Sequence, residues 1–220
     1  MDEKQKQILI GILLFGSIWG MFEATLGVFL HMIHFMLKGA IMFSLGAFLM
    51  SAALRTYRPR NRIGFLLGLG AIASLLKGFD IFIVGPGPMV FRPMISILIE
   101  AMAFGAVLTV IDKIKLKAPL THLSTGAGFA YFSYLGFGLV FKYLGIGSNF
   151  WLSMSLTDMM NFILADGTQA ALLSAVTVMA GYRTGDIIAL IQKKAVRSGI
   201  FYELAALLTG LCWLMGVKGI

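Results

Sequence analysis

Glu23, His31, His34, Lys77, Asp80, Arg92, Glu100 and Asp158 have chemistry out of keeping with their surroundings, since each lies in or beside a long apolar run. A charge held at the middle of a bilayer costs at least ~2.5 kcal/mol. Groups of this kind turn inward, find partners or line a path for a ligand or ion. Glu23, His31 and His34 share one stretch, GSIWGMFEATLGVFLHMIHF, residues 16–35. At helical spacing Gly16, Gly20, Glu23, Gly27, His31 and His34 occupy an arc of roughly 80°. The spacing predicts a small and polar stripe facing a bundle, with Leu13, Leu14, Phe22 and Phe29 facing lipid or apolar neighbours.

Depth relates these groups to one another. Glu23 precedes His31 by eight residues and Glu100 follows Arg92 by eight, about 12 Å along a helix. In antiparallel helices Glu23 and Glu100 then share one depth. They lie below an outer tier of His31, His34, Asp80, Arg92, Asp158 and Asn161, and Lys77 is one turn deeper than Asp80. The convergence predicts a pocket that opens outward, with His31 and His34 as hydrogen-bonding residues at its mouth. Trp151, beside Asn149, is placed to line that mouth. Two structural alternatives stand beside ligand contact: Lys77 neutralises Glu23 or Glu100, and Arg92 and Asp80 clasp the short loop between them. HMIH places two imidazoles three residues apart, but no third ligand is evident and no metal is assigned. No cofactor is assigned either. The chain has no HExxH, GxSxG or Walker pattern, so no catalytic residue is named and an ATP-driven pump is not complete in it.

The elements that must position these groups follow from composition. Of 220 residues 59% are hydrophobic and 13% charged, against about 45–50% and a quarter in soluble domains. A mean hydropathy of +0.89 points the same way. The reading is an all-α, polytopic bundle of six to seven transmembrane helices forming a single integral membrane domain over residues 1–220. Apolar runs lie at about 7–33, 38–54, 63–82, 90–111, 120–143, 157–181 and 199–217, each near the ~20 residues a bilayer requires. The net charge of +8 is clustered between these runs, which argues for membrane loops and against nucleic acid. Lys4 and Lys6, Arg55 to Arg62, Lys113 to Lys117 and Arg183 to Arg197 alternate with nearly uncharged loops. The positive-inside rule makes the basic side and the N-terminus cytoplasmic, and seven spans bring the C-terminus outside. Residues 151–182 are long for one span, and Gly167 marks a break point for a re-entrant or interfacial piece. Residues 185–199 read as an amphipathic helix on the cytoplasmic surface. Cys212 alone excludes an internal disulfide.

The size, the N-inside bundle of short spans, Gly16-x3-Gly20-x3-Ala24 in the first span and RPMISILIEAMAFGA at 92–106 resemble the substrate-binding S components of energy-coupling factor (ECF) transporters. The resemblance covers about residues 7–182, and the run at 199–217 exceeds the usual six spans. It implies capture of a small water-soluble micronutrient at a bacterial or archaeal cytoplasmic membrane. A separate transmembrane coupling subunit and two ATPases would power its uptake. Gly16, Gly20 and Ala24 would then meet the coupling subunit. Glu23, His31, Lys77, Asp80, Arg92, Glu100 and Asn149 would line the ligand site. The acids, the Arg and the aromatics suit a small polar or zwitterionic ligand. Two other functions stay open: a standalone ion-coupled carrier or channel, and an intramembrane enzyme using Glu23 and His31 as an acid/base pair.

Overall fold

Asp2 starts the first helix in a computed structural model of the chain. Its carboxylate accepts from Gln5 N at 2.6 Å and its own N–H donates to the Gln5 side chain at 3.1 Å, so two orphan amide donors are satisfied reciprocally. The structure describes residues 2–143, 152–197 and 200–218, and among these there is no strand. The helices are α1 (Glu3–Ala24), α2 (Leu26–Met32), α3 (Lys38–Tyr57), α4 (Arg62–Gly78), α5 (Ile81–Val84), α6 (Pro88–Ile114), α7 (Ala118–Tyr143), α8 (Leu156–Arg197) and α9 (Ile200–Lys218). Local chemistry explains several boundaries. Asn61 caps α4 by accepting from Gly64 N at 2.9 Å. Pro88 opens α6, where a missing N–H costs nothing. Gly85, at φ 80°, takes the left-handed turn that ends α5.

Six helical stretches are long and apolar enough to cross a membrane: Glu3–Leu30, Lys38–Tyr57, Arg62–Val84, Pro88–Ile114, Leu156–Val196 and Ile200–Lys218. The chain is therefore an all-helical membrane protein. Helix α7 is not among these six, and it turns hydroxyls into the bundle: Thr125 and Ser133 are fully buried beside Phe129 and Ala130. The seventh apolar run forms α9, which lies along α1 and α4. Trp213 Nε1 donates to Ser17 Oγ at 2.9 Å, and the Trp213 ring meets Phe79 edge-on.

Side-chain partners fix the directions. Helix α1 runs antiparallel to α3, because Gly11 lies against Tyr57 and Trp19 against Gly46. It runs parallel to α4, because Gly16 lies on Leu69 and Ile72 and Gly20 on Ala73 and Leu76. The basic clusters gather at one end of the bundle. There Arg55 pairs with Asp186 at 2.7 Å, Arg62 with Asp112, and Tyr202 donates to Glu3.

The region 151–197 differs from the expectation of a re-entrant piece, a break and a separate surface helix. Residues 156–197 form one continuous helix of 42 residues, about 63 Å long and about twice the ~30 Å hydrocarbon thickness. Gly167 does not break it, and a Cβ there would make ordinary contacts with Tyr131 and Tyr134 of α7, at 3.4 Å and beyond. The far part does not leave the bundle either. Asp186 pairs with Arg55, Gly185 O accepts from Thr56 Oγ1 at 3.2 Å, and Gln192 is buried. A Cβ at Gly181 would fall 2.4 Å from the Phe48 carbonyl oxygen, so only glycine lets α3 and α8 approach this closely.

Candidate functional site

A chamber of about 300 Å³ lies at the end of the bundle opposite the basic clusters. Five helices build it, and each supplies a different kind of group. Helix α1 contributes Glu23, in its last turn. Helix α6 contributes Arg92, Ser96 and Glu100, spaced four residues apart and so stacked on one face. Helix α3 contributes Gly39, Met42 and Phe43, α7 contributes Tyr134, Phe137 and Phe141, and α8 contributes Phe162. The rings form one connected group. Phe43 meets Tyr134 at 5.4 Å and Phe137 at 5.8 Å between centroids, and Tyr134 meets Phe162 at 5.9 Å.

Glu100 is the most buried charged group lining the chamber, with 5% of its surface exposed. Its Oε2 is buried and makes no hydrogen bond among the described residues. A side chain at Gly46 would come within 3.1 Å of that oxygen and of the Trp19 ring, so the absence of one leaves room for the carboxylate. Glu23 is half-buried across the chamber, near enough for the two acids to repel when both are charged. A buried carboxylate oxygen without a partner is expensive, and none of the described residues hydrogen-bonds Glu100 Oε2.

Lys77 and Asp80 sit behind the chamber and serve each other. Lys77 Nζ is 2.6 Å from Asp80 Oδ2, with both side chains 6% exposed. It also donates to the Glu23 carbonyl oxygen at 3.0 Å, at the end of α1 where intrahelical donors run out. The pair thereby ties the end of α4 to the end of α1 and fixes the turn that presents Glu23. Lys77 thus meets the Glu23 backbone, and its ion pair is with Asp80.

The other expected residues lie elsewhere. His34 is exposed in the turn after α2, at φ 52°, and does not line the chamber. Asp158 is exposed in the first turn of α8, where Ser155 Oγ donates to its Oδ2 at 2.6 Å and accepts from its N–H at 3.1 Å. That is a helix-start device, one turn before the chamber residue Phe162. Asn149 and the His31 side chain lie outside the described residues. Gly16, Gly20 and Ala24 are buried, and a Cβ at Gly16 or Gly20 would fall 2.8 Å from a carbonyl oxygen of α4. Their face is occupied by this chain's own helix. Among the described residues no group of three His, Cys, Asp or Glu gathers as a metal site would require.

The aromatic half of the chamber was not anticipated from the sequence. Its signal was present in α7, where Tyr134, Phe137 and Phe141 recur at three and four residues and so share a face. Compared with known proteins, the chain matches no family model, no curated protein and no solved structure.

Proposed function

We propose that this chain captures a small water-soluble solute, a micronutrient, in the chamber between Glu23, Arg92, Glu100 and the aromatic wall. In this reading the basic end faces the cytoplasm and the chamber faces outward. A separate transmembrane coupling subunit with its ATPases powers release to the inside, as in the ECF transporters whose S components the sequence resembles. The observation that supports capture is the pairing of a 300 Å³ chamber with a buried, unpartnered Glu100 oxygen. Concave sites with a few placed polar groups are where small molecules bind, and intramembrane acids are otherwise rare. Because Gly16 and Gly20 are packed against α4, a coupling subunit would meet a different face of the bundle.

The test is a mild-detergent pull-down of the tagged chain from its native membranes, followed by solute binding to the purified protein. Co-purification of a multi-span subunit with ATPases, together with binding and no turnover, is the expected result. Two acids in one chamber also favour a second reading, an ion-coupled carrier. Solute flux into liposomes holding this chain alone, lost in the Glu23→Gln/Glu100→Gln double variant, would replace the first reading with the second.

A further inference from the structure

We infer that the chamber is selective for a compact organic cation, bound with its charged centre between Glu100 and the rings of α3, α7 and α8. The inference rests on the capture reading and names the chemistry of the ligand. Glu100 is buried, and its Oε2 makes no hydrogen bond among the described residues. The nearest buried ammonium cannot serve it: Lys77 is held by Asp80 at 2.6 Å and by the Glu23 carbonyl at 3.0 Å. Arg92 lies two turns away on the same helix, about 12 Å along the axis, at the other end of the Arg92–Ser96–Glu100 face. The second acid, Glu23, adds negative charge. When Glu23 and Glu100 are both ionised, the inner part of the chamber holds two negative charges, and a ligand's positive charge would balance them.

The opposite wall meets the same demand by a different route. Phe43, Tyr134, Phe137 and Phe162 line the space that Glu100 borders. Aromatic faces attract cations, most strongly when water is excluded, and they favour diffuse charges such as alkylated ammonium. A carboxylate beside aromatic rings offers a cation both a counter-charge and π-faces. A metal ion would need several oxygen or nitrogen ligands in place of rings. An anion would meet two acids. A neutral solute would leave Glu100 uncompensated.

The test uses the purified full chain in nanodiscs and reads its thermal unfolding midpoint. Choline and benzylammonium, as chloride salts, are compared with their neutral isosteres 3,3-dimethylbutan-1-ol and benzyl alcohol, and with equimolar NaCl. At least one cation is expected to raise the midpoint while its isostere and NaCl leave it in place. Loss of a charge-assisted contact in Glu100→Gln should weaken that cation's apparent affinity by at least ~10-fold. Phe162→Leu should weaken it less, and Asp158→Asn, outside the chamber, should leave it unchanged. Equal stabilisation by the isosteres, or an undiminished cation effect in both Glu100→Gln and Phe162→Leu, overturns the inference. If sodium acetate or a neutral solute is the stabilising probe, and Arg92→Ala abolishes its effect, capture stands and cation selectivity falls. If none of the probes stabilises the protein, the cation inference falls. Capture itself is then decided by the pull-down and binding result above.

Discussion

The two walls of the chamber differ in what they do for the fold. Helices α1 and α6 supply Glu23, Arg92 and Glu100, and α3, α7 and α8 supply Phe43, Tyr134, Phe137, Phe141 and Phe162. The aromatic wall is also core: Phe43 stacks on Phe129 at 4.6 Å, and Phe129 meets Phe104 edge-on at 5.2 Å. On the acidic wall, Glu100 Oε2 is buried with no hydrogen-bond partner among the described residues. One wall stabilises the bundle and the other costs stability. The difference separates residues kept by packing from residues kept for a ligand.

Substitutions on each side should therefore move stability in opposite directions. Phe43→Ala removes a ring packed on three others and should cost about 3 kcal/mol or more, seen as a fall in the unfolding midpoint in detergent. A midpoint within a degree of the parent would mean the aromatic wall is not core. Lys77→Met leaves Asp80 buried without its cation and should cost about 3 kcal/mol. The double variant Lys77→Met/Asp80→Leu should recover most of that, and failure to recover would give Lys77 a role beyond the pair. On the acidic wall the sign reverses: Glu100→Met should raise stability by about 1 kcal/mol while abolishing solute binding. A destabilised Glu100→Met protein would erase the contrast. The smallest effect is expected at Asp158→Ala, about 0.5–1 kcal/mol from a weakened helix start, with solute affinity unchanged.

The legibility of the site follows the same division. Charges in apolar helices are conspicuous, and counting residues along antiparallel helices brought Glu23, Arg92 and Glu100 toward one place. The rings were hidden because Phe and Tyr in an apolar span also suit lipid, and sequence alone does not say which face a neighbour covers. Asp158 and His34 were over-read for a related reason. A polar residue at a span end serves a helix start or a turn as readily as a ligand, and Ser155 took Asp158 for the former. Of the stripe from Gly16 to His34, Gly16 and Gly20 turn inward as a seat for α4, whereas His34 is exposed in the turn after α2. Gly167 misled because a glycine inside a helix costs only about 1 kcal/mol, which the packing of α8 on α3 and α7 outweighs. Six of the seven apolar runs recur as helices long and apolar enough to span a membrane, since apolar length depends on the solvent more than on any neighbour.

Helix α8 has one end at Phe162, in the chamber, and the other beside Gln192 and Lys193, at the basic end. A helix of this length behaves as a stiff lever. A tilt of about 5° about its middle would swing each tip through roughly 2.7 Å, given its length of about 63 Å. The tight seam at Gly181 obliges α3 to swing with it, so a solute that moved Phe162 would be felt as displacement on the far side of the bilayer.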